Sequence, residues 1–250
     1  MSPMTTGWIV FACVFGGALV GTLVRKILPD HHLSSDSKDV IKLGMGLIGT
    51  MAALVLSLLI SSAKGSYDIR SSEVTQLSAN IMLLDRVLAH YGPEAREARD
   101  LLRRTVARLI DQIWPERSAG SSQPTPSAEA EAFYDKIQAL APHNDAQRSI
   151  QAQALTIGTS LGQTRWLLVG QSGRSIPMAF LAVMVCWLAV IFGSFGLFAR
   201  PNTTVIVALF VCALSFSSAI FLILELDQPF EGLVQISSAP MREALARLGQ

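Results

Sequence analysis

Charge is what this chain has least of. Its 250 residues are 16% charged and half hydrophobic, whereas an ordinary soluble domain carries about 25% charged residues. The shortage is concentrated in four runs with no charged residue: Gly7–Val24, Leu43–Ala63, Ser175–Ala199 and Pro201–Leu224. Cysteine is almost as scarce. Cys13, Cys186 and Cys212 each lie inside an apolar run without CxxC spacing. A disulfide framework and a paired-cysteine metal site are therefore excluded, and the three thiols read as small buried hydrophobes. Net charge is +1, which gives no basic footprint for a nucleic-acid partner. HExxH and P-loop patterns are missing, and no nucleophile is spaced with a base. The expectation is a non-enzyme without a cofactor. His31-His32, beside Asp30 and Asp36, follows Pro29 among serines and reads as a solvated loop rather than a metal site.

What is present is enough apolar length to cross a membrane four times, since a helix needs roughly 18–20 residues to span hydrocarbon. Backbone groups in lipid must be satisfied within the segment, so the spans are expected to be helical. The first run lacks a basic start and is followed closely by another apolar run, so it reads as a retained span rather than a signal peptide. The expected fold class is an all-α membrane protein with a helical domain between the second and third spans. Residues 1–63 form a first transmembrane hairpin, with helices at about 7–28 and 43–63. Residues 64–174 form a helical domain with a mobile loop at 115–128. Residues 175–226 form a second hairpin, and 227–250 a C-terminal segment.

The middle carries helical periodicity and little strand signal. Val74, Leu77, Ile81, Leu84, Leu88 and Tyr91 alternate steps of three and four, the spacing of a packed seam. Gly92 ends that helix and Pro93 opens the next, which carries Ala98, Leu102, Thr105, Leu109 and Trp114. SAGSSQPTPS (Ser118–Ser127) is low-complexity loop. A short helix over Glu129–Leu140 follows. A longer one starts near Asn144, a cap residue by type, with Ile150, Ala154, Ile157, Leu161 and Leu168 on one stripe.

An even number of spans puts both ends and the middle on one side. Basic residues do not say which, because the loops and the opposite flanks carry five each. The second span holds two further features. Gly44–Gly49 matches GxGxxG, but no strand precedes it inside an apolar run, so close helix packing through small residues is the better reading. Gly46, Thr50, Ala53, Ser57 and Ser61 share one helical face, and Lys64 extends it. Such a face packs helices or lines water, and hydroxyls with a lysine suit an anion better than a cation.

Two segments resemble a known family. Ser66-Tyr67-Asp68-Ile69-Arg70 is similar to the stretch that ends the pore helix of bacterial bestrophins. Asp227-Gln228-Pro229-Phe230-Glu231-Gly232 is similar to the Asn/Asp-Pro-Phe-Gly segment after their fourth span. More closely, the chain resembles the bestrophin-like family of bacterial and plant membrane proteins through SSAKGSYDIRSSEV (Ser61–Val74), LLDRVLAHYGPEAREAR (Leu83–Arg99), FGSFGLFARPN (Phe192–Asn202) and LELDQPFEGLVQISSAPMREAL (Leu224–Leu245). The resemblance implies a homopentameric, anion-conducting channel in the bacterial inner membrane, with cytosolic termini and a cytosolic middle domain. Its partners would be copies of itself, membrane lipid and permeating anions such as chloride. Aligning Arg70 with the family arginine puts neck positions at Leu54, Leu58 and Ser62. Two apolar rings fit the family and Ser62 departs from it. The alternative pore face is Thr50, Ser57, Ser61 and Lys64.

LELDQPFEG (Leu224–Gly232) gathers Glu225, Asp227 and Glu231 at the end of the fourth run. A calcium site at Asp227 and Glu231 is one reading, since oxygen ligands suit that ion. No dense acidic run follows, however. In the preferred reading Pro229 ends the helix, Phe230 packs, and the acids pair with Arg70 or Lys64. The functional alternative to a channel is a non-conducting oligomeric scaffold or sensor.

Overall fold

Apolar runs flanked by polar chain close their backbone hydrogen bonds within themselves, and the described residues fold accordingly as helices. The structure is a computed structural model that describes residues 2–28, 35–114, 128–170, 176, 178–199, 202–230 and 232–249. The helices are α1 (Pro3–Ile27), α2 (Ser35–Tyr91), α3 (Arg96–Ile113), α4 (Ala128–Gln138), α5 (Asp145–Gly170), α6 (Met178–Phe198), α7 (Thr203–Leu226) and α8 (Ala239–Arg247). Four of them, α1, α2, α6 and α7, are long and apolar enough to cross a membrane. The loop expected at 115–128 and the His31-His32 loop lie outside the described residues, apart from Ala128 at the start of α4.

The second apolar run is not a helix of its own. It is part of α2, 57 residues long, or about 85 Å at 1.5 Å per residue. No proline occurs between Pro29 and Pro93, so nothing removes a backbone donor along the way. Gly92, at φ +128°, ends the helix, and Pro93 starts a 3-10 turn over Pro93–Ala95.

The chain divides into two compact units, Met1–Tyr67 with Arg174–Val234, and Asp68–Gly173 with Gln235–Gln250. In the first unit α1 packs along α6 and against α7. Val10, Val14 and Ala18 meet Leu181, Met184, Leu188 and Phe192 in its core. The contact is close because it is built on small residues. A Cβ at Gly21 would strike Gly193 O, one at Gly196 would strike Ala18 O, and one at Gly17 would lie 2.7 Å from Ala189 O. In lipid, where the hydrophobic effect does not drive helices together, such backbone approach supplies the dispersion contacts that do. The chain itself does not supply the packing expected at Gly44–Gly49: a Cβ at Gly44, Gly46 or Gly49 meets nothing of the same chain within 4 Å. The cysteines are also corrected. All three are exposed, because they occupy the outward faces of their helices.

Polar groups finish the membrane unit. Arg25 Nη1 donates to Leu197 O, Phe198 O and Ala199 O at 3.2, 2.8 and 3.1 Å. It thereby satisfies carbonyls that the end of α6 leaves open. Ser217 Oγ donates to Gly7 O at 2.6 Å in the buried α1–α7 contact.

The second unit closes by burial. Val74, Leu77, Ile81, Leu84, Leu88 and Tyr91 are each 2% exposed or less, which is the seam read from the spacing. Ala98, Leu102 and Leu109 of α3 join the buried set. Asn144 caps α5 through its Oδ1, which accepts from Gln147 N at 2.8 Å, and Gln147 Nε2 donates to Tyr91 O at 3.0 Å at the end of α2. Asp85 and Arg99 form a two-pronged pair at 2.7 and 2.8 Å. This hydrogen bond to Asp85 raises the Arg99 pKa. The segment after residue 234 belongs to this unit: Ile236 O accepts from Trp114 Nε1 at 2.8 Å, Met241 and Ala244 are buried, and Gly249 N donates to Asp85 Oδ2 at 3.3 Å.

Candidate functional site

The membrane part of α2 is the least covered of the four candidate spans. Of its most apolar stretch 6% is buried, against 28% in α1, 28% in α6 and 22% in α7. Ala52 and Ala63 turn inward, with Leu56 and Leu59 half-buried beside them. The opposite side is open. Leu54 is 67% exposed and Leu58 70%, and Ser62 is exposed as well. Thr50, Ser57, Ser61 and Lys64 are exposed too. At 100° per residue the two sets form adjacent stripes that together cover about half of the helix circumference. Both candidate faces are therefore open to whatever lies beside α2.

The stripes differ in chemistry. Thr50 Oγ1 donates back to Leu47 O at 2.8 Å, which leaves its lone pairs outward. Lys64 Nζ lies 5.6 Å from the centre of the Tyr67 ring, within cation–π range. A row of hydroxyls ending in a cation has a price against lipid and a use against water. Of the family motif, Ser66 and Tyr67 are half-buried, Asp68 is exposed and Arg70 is buried. The boundary between the two compact units falls inside it, after Tyr67, along an unbroken helix.

The post-span turn is built on a buried carboxylate. Helix α7 ends at Leu226, ahead of the expected Pro229, and Asp227 is its C-cap residue. Glu225 and Asp227 are each 3% exposed, so neither is a surface acid at the membrane edge. Glu225 Oε2 accepts from Leu233 N at 2.6 Å and from Val234 N at 3.4 Å. Gly232 makes the approach possible. Its φ is +89°, and a Cβ there would collide with the Glu225 carboxylate. The chain thus turns back on itself around Glu225, which binds backbone amides instead of the basic partner expected for it. Pro229 is fully buried and Phe230 half-buried. Glu231, the other expected calcium ligand, lies outside the described residues. Among the described residues no group of three or more metal-ligating side chains comes together.

Three features escaped the sequence reading. The Asp85–Arg99 pair had a signal, because the two residues stand equally far from Gly92 on either side of a helical turn. Gly17 and Gly21 carry GxxxG spacing. Nothing in the sequence marked Glu225 as the acid that grips Leu233.

Among the described residues the fold is all-helical, with four helices long and apolar enough to cross a membrane and a long, openly faced second helix, the features of a multi-pass membrane protein. The Bestrophin-like domain matches residues 12–241, and the chain belongs to the Bestrophin-like family. In fold it is similar to the crystal structure of a mutant bacterial bestrophin homolog from Klebsiella pneumoniae. The TM-score is 0.55 at 15% identity, covering 96% of this chain and 98% of that one. No curated protein matches.

Proposed function

We propose that the chain is one subunit of a homopentameric, anion-selective channel of the inner membrane, with α2 lining a central pore. The observation that carries this reading is the open face of α2: an apolar helix whose own chain buries 6% of its most apolar stretch while leaving a leucine stripe and a hydroxyl–lysine stripe side by side. Copies of the chain arranged around an axis cover one stripe and hydrate the other. Leu54 and Leu58, one helical turn apart, supply apolar rings that gate by dewetting. Ser62 leaves the third position wetter. Thr50, Ser57, Ser61 and Lys64 are the second candidate lining, with donors suited to an anion. Family membership and the bestrophin-like fold support the reading. In this topology the termini and residues 64–174 are cytosolic.

The test is conduction by purified oligomers in planar bilayers. Wild-type protein should carry chloride current, and Leu58→Ala should raise the open probability or conductance. Silence from intact oligomers across calcium and pH conditions would overturn the channel reading and leave the non-conducting scaffold.

A further inference from the structure

Helices α1 and α7 leave a groove between them. Its floor is Gly7 and Ser217, and its walls include Trp8 and Phe11 on one side and Leu214 and Phe221 on the other. The aromatic side is braced from behind. Phe11 stacks on Phe15 at 5.7 Å, and both meet Phe210 edge-on at 5.3 and 5.5 Å.

The chemistry of the lining selects the occupant. No charged residue lines the groove. Its two hydroxyl protons are already committed, Ser217 Oγ to Gly7 O at 2.6 Å and Ser218 Oγ to Leu214 O at 2.8 Å. A polar ligand would give up water there without a donor in exchange. The occupant is therefore apolar. Both helices are long and apolar enough to span a membrane, so the apolar material beside them is hydrocarbon. Trp8 is 62% exposed and near the start of α1, the depth at which amphipathic indoles mark the edge of a bilayer. From Met4 to Phe11 the groove runs about 10 Å along the helix axis, inward from that edge and within one leaflet.

We propose that this groove binds the hydrocarbon tail of a membrane lipid, held along Trp8 and Phe11. The proposal is independent of conduction, and its test uses none. The intact protein is purified in mild detergent, washed, and examined by native mass spectrometry for retained phospholipid. It is also reconstituted with brominated-chain phosphatidylcholine, and the Trp8 emission is isolated as the difference between wild type and Trp8→Phe. Wild type should retain at least one phospholipid per chain, and brominated chains should quench the Trp8 emission by more than half. Ser218→Phe, which fills the groove from the α7 side, should cut retention at least tenfold, and the smaller Ser218→Leu should cut it less. Complete loss of lipid from wild type on washing overturns the proposal. Unchanged retention in a folded Ser218 variant does the same. Trp8 emission that is quenched only after the assembly is dissociated overturns it as well, and assigns the groove to a second copy of the chain.

Discussion

The two halves of α2 follow similar apolar spacing and meet opposite fates. In the membrane half, Leu43, Leu47, Leu54 and Leu58 are 73, 69, 67 and 70% exposed. In the half from Val74 to Tyr91, the six seam residues are 2% exposed or less. The second half is covered by its own chain, and the first half is not. Apolar periodicity states that a face needs covering, whereas the covering partner is a tertiary fact. A face left open on a membrane helix points to lipid or to another subunit. A face closed by its own chain holds that unit together.

The sharpest way to break this comparison is to intrude on a contact the chain makes with itself. Gly21→Leu puts a side chain into Gly193 O and should cost more than about 3 kcal/mol, at or above the upper range for overpacking. Loss of a monodisperse gel-filtration peak is the readout. Gly46→Leu, which meets open space in the chain, should keep that peak. Next in size is Leu84→Ala, fully buried, with an expected loss of about 2–5 kcal/mol from transfer and cavity terms. Leu54→Ala should stay within about 0.5 kcal/mol, as surface changes do. Chemical denaturation in detergent compares the two directly, and equal losses would erase the distinction between the halves. Asp85→Ala should cost about 1.5–3 kcal/mol for a charge-assisted pair, below the values for fully buried pairs because the Arg99 side chain is 21% exposed. A double-mutant cycle with Arg99→Ala measures that coupling. Glu225→Ala is the most local change. It should speed hydrogen exchange at Leu233 and Val234 by at least tenfold while leaving the middle of α7 protected, and unchanged exchange would show that the carboxylate does not hold the turn.

The sequence reading succeeded where a single segment contains its own cause. The Val74–Tyr91 seam and the Asn144 cap are of this kind, because spacing and residue type act within a few residues. It went astray where two distant segments must meet. Small residues at Gly44–Gly49 and at Gly17–Gly21 look equally able to pack, and only the second pair has Gly193 and Gly196 opposite. The cysteines were assigned to the interior from their general habit, but their helices turn them outward. For Glu225 the type of residue was visible, but its target was not, since the target is backbone and every residue carries that. The two α2 stripes were both legible as faces, and a single chain exposes both.

The length of α2 carries one more consequence. An unbroken helix fixes the angular phase of every residue on it relative to every other. One alanine inserted after Met51 would rotate the exposed Leu43 and Leu47 by about 100° against the exposed Leu54 and Leu58 and lengthen the helix by about 1.5 Å. Four would restore the phase to within about 40° and keep the added length. The spacing along the membrane half of α2 is therefore as much a part of the protein's design as any side chain on it. Deletions there act as rotations, and residues that touch nothing can still set which stripe faces which neighbour.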